Sequence, residues 1–179
     1  MISRRVWVTL LVLFCLTACT AIPVVPNNER WSFDGKASLR QAGQTRLFSV
    51  TWDKYPDRSE IRLSAALGAA SADITLVEGS VRVHSGEIDE TYPDGGSIEL
   101  AGQKIALPLR DLEHWLRGRQ NASGQAITGD FLLDGWQVSI LKSDESGPRL
   151  LVMTHQDVSL RLRIKQWHFP VESSRVDSI

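Results

Sequence analysis

The chain has 179 residues, with twenty Lys and Arg against twenty-one Asp and Glu and a formal net charge of −1. That length holds one compact domain, and so even a charge balance sets up no broad positive field to draw in nucleic acid. A hydrophobic share of 42% excludes a disordered chain, and two cysteines exclude a disulfide-dense scaffold.

The first element in chain order is a secretion signal. Arg4 and Arg5 precede an apolar run over residues 6–16, interrupted by Thr9, too short to span a bilayer as a permanent helix. The run closes on Leu16-Thr17-Ala18-Cys19, which looks like a bacterial lipobox. Residues 1–18 are then expected to be cut away and Cys19 to carry lipid. A thiolate is nucleophilic enough to take a diacylglyceryl group, and the freed α-amine takes a third chain. In a plain signal peptide Cys19 would be incidental. Removal of residues 1–18 takes Arg4, Arg5 and Cys15 with it, leaving 161 residues, a net charge of −3 and a single cysteine. By resemblance to enteric-type sorting, Thr20 in place of Asp directs the product to the outer membrane. Three acyl chains at ~0.8 kcal/mol per buried CH₂ far exceed what stable anchoring requires.

Residues 19–30 read as the acylated cysteine and a short tether, since Pro23, Pro26, Asn27 and Asn28 interrupt any periodicity. From Trp31 the period becomes two. Trp31, Phe33, Gly35, Ala37 and Leu39 alternate with polar neighbours, as do Phe48/Val50/Trp52 and Ile61/Leu63/Ala65. The same pattern returns in Ile74/Leu76, Val81/Val83, Trp136/Val138/Ile140, Leu150/Val152 and Val158/Leu160/Leu162/Ile164. Strands with one apolar and one wet face belong to an antiparallel sheet covered on one side. Turn signals at residues 42–44, 55–57, 78–79, 134–135 and 146–148 separate them. Residues 92–105 fit neither period. Leu109, Leu112, Trp115 and Leu116 follow helical spacing, with Pro108 at the first turn and Gly118 closing the end, which predicts an amphipathic helix of about three turns. Residues 171–179 are expected to fray.

A sheet of roughly eight to eleven strands has to curl. Whether its concave side packs solid or leaves an apolar cavity is open at this point. Catalytic patterns are missing: there is no G-x-S-x-G, P-loop or HExxH. His84, His114, His155 and His168 are scattered, and Ser85 and His84 point to opposite faces of a strand. Asp89 and Glu90 likewise point apart, and Asp144/Glu145 read as solvated turn residues. No catalytic residue, metal ligand or cofactor is assigned.

The apolar pattern itself is familiar. Trp31-x₃-Gly35-Lys36, Phe48-x₃-Trp52 and Leu63-x₃-Leu67-Gly68 resemble the LolB outer-membrane lipoprotein family. So do Leu107-Pro108-Leu109-x₂-Leu112-x₂-Trp115-Leu116-x-Gly118 and the closing Leu160-Arg161-Leu162-Arg163-Ile164-Lys165-x-Trp167. The resemblance implies a LolA/LolB-like domain over residues 31–170, a mainly β incomplete antiparallel barrel with a lid of short α-helices over a hydrophobic cavity. It further implies a monomeric, non-enzymatic receptor that takes triacylated lipoproteins from the periplasmic carrier LolA and inserts them into outer-membrane lipid.

On that picture Phe33, Leu39, Phe48, Val50, Trp52, Leu63, Trp136 and Ile140 line the concave face, and Leu112, Trp115 and Leu116 close over it. A solid core would use the same residues. The resemblance makes Leu67 a membrane-engaging leucine on a protruding loop; an ordinary loop anchor is the competing reading. The chain departs from the family at Ala66, where many members carry Pro, and in the short segment before Trp31, which leaves little room for a first lid helix. The basic face of Arg161, Arg163 and Lys165 suits either a carrier contact or a solvated outer strand. The alternative function is an outer-membrane lipoprotein acting as an assembly scaffold without a lipid cavity.

Overall fold

A computed structural model of the chain describes residues 30–65, 71–86, 88–94, 98–100 and 103–170. Ten strands form one antiparallel sheet: β1 (Trp31–Gln41), β2 (Gln44–Lys54), β3 (Ser59–Ala65), β4 (Ser71–Val77), β5 (Ser80–Ser85), β6 (Ile88–Pro93), β9 (Phe131–Leu133), β10 (Trp136–Asp144), β11 (Gly147–His155) and β12 (Val158–His168). The order across the sheet is β6-β5-β4-β3-β2-β1-β12-β11-β10-β9, so the first and last strands meet in the middle. β6 and β9 stand at the two edges and do not pair with each other. The stretch that fitted neither period, around residues 92–105, supplies the end of β6 and a separate hairpin of β7 (Ile98–Leu100) and β8 (Gln103–Ile105). Among the described residues the lid comprises a single helix, α1 (Leu109–Leu116), where the resemblance implied several.

The alternation read from sequence is the alternation of burial. β1 buries Trp31, Phe33, Ala37 and Leu39, and β2 buries Phe48, Val50 and Trp52, while their neighbours face outward. Side chains from β4 and β5 on one flank and from β10 and β11 on the other belong to one continuous core. Strands so far apart in the order share a core only because the sheet wraps around its apolar face. One strand runs out of phase with expectation. Leu151 and Met153 of β11 point inward, and Leu150 and Val152 share the outer face with Arg163 and Arg161. Residues 150–153 are apolar at every position, so a period-two count cannot tell their two faces apart. Pairing of Leu151 with Leu162 and Met153 with Leu160 sets the phase, and a separate bulge in β10 leaves Leu141 unpaired between Ile140 and Lys142. Among the described residues every core side chain lies between Trp31 and Phe169, so a chain starting at residue 20 keeps the burial they supply.

The β1–β12 seam contains the closest backbone approach. The register skips there: Asp34 opposes Gln166 but Gly35 opposes Ile164. A Cβ on Gly35 would stand 2.6 Å from the Arg163 carbonyl oxygen. Backbone cannot move aside as a side-chain tip can. Gly35→Ala is therefore expected to destabilise the domain by about 1–3 kcal/mol, the usual cost of overpacking, read as a lowered urea midpoint with unchanged m-value.

Candidate functional site

Two different environments share the concave side. At one end, Trp31, Phe33, Trp52 and Trp167 pack ring against ring, with centroids 5.3–6.3 Å apart, and Phe169 stacks on Trp167 at 5.8 Å. The Trp167 indole donates to the Pro148 carbonyl at 3.1 Å. This end is solid. Beyond Trp52 the packing loosens into an apolar cavity of about 50 Å³. Ala37, Leu39, Phe48, Val50, Trp52, Ile61, Leu63, Ile74, Leu160 and Leu162 form its sheet side, and Leu107, Leu109 and Leu112 close it from the lid.

α1 folds as its sequence requires. Pro108 cannot donate, so the helix opens after it, and the Leu112 N–H bonds the Pro108 carbonyl at 2.8 Å. At the other end Gly118 adopts φ +71°, and the N–H groups of Gly118 and Arg119 bond the carbonyls of Trp115 and His114, both at 3.0 Å. This is a Schellman stop, and it holds the helix to eight residues rather than the three turns expected. Leu109, Leu112, Trp115 and Leu116 all face inward and are buried.

Of the cavity residues expected from sequence, Leu39, Phe48, Val50, Trp52, Leu63 and Leu112 line this space. Phe33 lies in the aromatic plug. Trp115 is fully buried, meets Phe131 edge-on at 5.9 Å and donates to the Gln120 carbonyl at 3.0 Å, so it anchors the lid to the loop that follows. Leu116 is buried beside it. Trp136 meets His155 in a tilted ring contact at 5.1 Å and borders a separate wet cleft with Asp94, Asp111 and Asp134. Ile140 is half-buried at the β10 bulge. Cys19 and Leu67 fall outside the described residues; the strands on either side of Leu67 pair as far as Ser64 and Ser71. Ile61, Ile74, Leu160 and Leu162 were legible as inward positions of their strands but not singled out. Leu107 and the fully buried Ile127 carried no periodic signal.

Polar clasps hold the lid at Arg110 and Glu113. Glu113 of α1 accepts from Lys54 Nζ at 3.0 Å and from the Ser59 hydroxyl. Ser59 is wholly buried, and both ionic side chains are mostly covered. Arg110 donates to the Asp94 carboxylate and to the Val77 carbonyl. His114, next to Glu113, lies half-buried, and burial holds its imidazole below the usual histidine range. Asp111 and Glu113 pull it upward, and Arg117 and Arg119 push it further down. Burial raises the Asp111 carboxyl above the ordinary aspartate range.

Comparison with known proteins fits this geometry. The family model described as "Outer membrane lipoprotein LolB" matches residues 29–167. The chain belongs to the LolB family. A protein of Pseudomonas savastanoi named outer-membrane lipoprotein LolB is 30% identical, with 78% of this chain and 74% of the relative aligned. Proteins of that name from Shewanella woodyi and Chromohalobacter salexigens are 26% and 24% identical over 92% of this chain, covering 89% and 91% of their own lengths. Among solved structures, a LolA superfamily protein from Nitrosomonas europaea superposes with a TM-score of 0.54 at 10% identity, covering 82% of this chain and 89% of its own; it shares the fold. LolB membership makes this chain an outer-membrane lipoprotein with a role in lipoprotein localisation.

Two outcomes test the lid. Lys54→Met strands the covered Glu113 carboxylate, so it should cost about 1–3 kcal/mol and speed hydrogen exchange along α1; adding Glu113→Gln should restore most of both. His114 supplies the second. Its folded pKa is depressed, so around and below pH ~6.5 the unfolded chain binds a proton that the folded chain refuses. Its contribution is intact above that range and falls as pH drops. Thermal unfolding between about pH 7.5 and 5.5 should show wild type losing more stability than His114→Gln.

Proposed function

We propose that this LolB-family protein takes triacylated lipoproteins from the periplasmic carrier LolA onto its concave face and inserts them into the outer membrane, acting as a monomer anchored through lipid on Cys19. The observation that carries this reading is the cavity closed by α1 and walled by apolar side chains alone. Three acyl chains exposed to water would cost tens of kcal/mol at ~0.8 kcal/mol per CH₂, so cargo must pass from one apolar enclosure to another. At about 50 Å³ the cavity is smaller than an engineered pocket of ~150 Å³ that admits benzene. Reception thus requires the lid to swing and the space to widen. That need explains why α1 is tied down by ion pairs and hydrogen bonds, which exchange readily for water, while its apolar edge supplies the cover. Each receiver has to hold the chains better than the last, with the bilayer as the final sink. Leu67 is the side chain proposed to enter the bilayer at release.

The test is transfer in solution. A form lacking residues 1–18 with Cys19→Ala, mixed with matched LolA loaded with one acylated lipoprotein, should draw the cargo from LolA. Leu112→Asp should abolish that uptake by placing a charge in the apolar wall. Leu67→Glu should take up cargo normally and fail to release it into vesicles. Cargo that stays on a competent carrier would sink the reading and leave the assembly-scaffold function in its place.

A further inference from the structure

The outer face of the sheet is electrostatically divided. On β3 to β6 each outward arginine has an aspartate on the neighbouring strand: Arg62 meets Asp73 at 3.3 Å and Arg82 meets Asp89 at 2.5 Å. On β1, β12, β11 and β10 such pairs also form, Asp34 with His168 at 3.2 Å and Arg149 with Asp144 at 2.5 Å, but a basic row beside them has no such partners among the described residues. Lys142, Leu150, Arg163, Lys36 and Ser49 stand opposite one another in successive strands, with Lys36 directly facing Arg163. Arg161 lies in the next outward row, facing Ser38. Among the described residues none of Lys36, Arg161, Arg163 or Lys142 has a carboxylate at ion-pair distance; Lys36 reaches only the Ser49 hydroxyl, at 3.5 Å. Like charges directly opposed across a sheet are destabilising, and the expected processed chain is acidic overall, so this basic stripe is a local arrangement.

Its β2 margin is apolar. Leu47, 60% exposed, stands opposite Ser38, and together with Lys36, Ser38, Ser49, Arg161 and Arg163 it borders an open cleft of about 280 Å³. An exposed leucine flanked by cations suits a boundary where phosphates lie above hydrocarbon. We infer that this outer face of β1, β2 and β12 is a docking face for an anionic phospholipid surface. Two observations favour a membrane over an acidic protein. The stripe lies on the opposite face of the same strands from the cavity, so a carrier presenting acyl chains to the concave side would not touch it. In addition, the eleven residues between Cys19 and Trp31 span at most ~40 Å, and Lys36 is about 17 Å along β1 from Trp31. A chain anchored at Cys19 therefore keeps this face within reach of its own membrane. The inference rests on outer-membrane anchoring, not on acyl transfer.

The test uses the chain from residue 20, which keeps the described core and lacks the lipid. Sedimentation with phosphatidylethanolamine vesicles containing about a third phosphatidylglycerol should show at least tenfold tighter binding than with zwitterionic vesicles, falling steeply between about 50 and 300 mM salt. Lys36→Glu should raise the melting temperature, because an ion pair with Arg163 replaces repulsion, yet weaken anionic-vesicle binding about tenfold. Arg163→Gln should weaken binding without adding a new pair, and near-UV dichroism of the tryptophans checks that each variant is folded. Equal binding to both vesicle types, or full binding by a stabilised Lys36→Glu, would overturn the inference. So would loss of LolA-dependent cargo uptake in Lys36→Glu with vesicle binding intact, which would assign the stripe to an acidic protein. Anionic binding in a wild-type chain that takes up no cargo would retain this inference while the acyl-transfer reading failed.

Discussion

A ten-stranded antiparallel sheet with open edges must keep one face dry, and a helix of only eight residues does much of the covering. A strand with alternating faces gains its stability from hiding the apolar one. Here the sheet solves most of the problem by curling until strands from both flanks share one core. The remaining gap is closed from residues 107–116, where Leu107, Leu109 and Leu112 meet the sheet across the cavity. Placement of the lid, looseness of the cavity and location of the polar clasps all follow from that division of labour.

The concave side is graded along its length. The plug of Trp31, Phe33, Trp52 and Trp167 is filled with rings that have few torsions to lose and many contacts to make. The indole N–H groups of Trp31 and Trp52 find no acceptor among the described residues, a cost that close aromatic packing has to offset. Past Trp52 the walls are Leu, Ile, Val and Ala, whose shapes leave a void. A rigid end and a yielding end on one sheet permit the lid side to move while the fold stays closed at the plug. Glu113, with Lys54 and Ser59, sits at the plug end, since Lys54 and Ser59 are paired across β2 and β3 and Lys54 stands opposite Trp31.

The outer face carries a different kind of order. Cross-strand pairs on β3 to β6 neutralise charge locally, as expected for a solvated surface. The β1–β12 seam holds unneutralised like charges over the backbone contact at Gly35. Stability alone would not place Lys36 opposite Arg163. One sheet thus presents an apolar surface inward and a basic one outward along the same three strands, so the two sides face different environments.

Alternation from Trp31 to Leu39, and again from Val158 to Ile164, determined from sequence alone that the domain is a one-sided antiparallel sheet. The spacing of Leu109, Leu112, Trp115 and Leu116 with Pro108 and Gly118 determined where the covering helix lies, because periodicity and backbone stops are local properties. The inward positions Leu39, Phe48, Val50, Trp52 and Leu63 were legible for the same reason. The tertiary structure alone decided which inward residues plug and which line a cavity: Phe33 and Trp52 stand directly opposite each other on paired strands, and only Trp52 reaches the void. It also decided the phase of β11, where pairing with Leu162 and Leu160 of β12 sets Leu151 and Met153 inward, and the meeting of Lys36 with Arg163 across more than a hundred residues. A period says which face a side chain takes. The facing neighbour depends on register, bulges and curvature, which are set by strands distant in the chain.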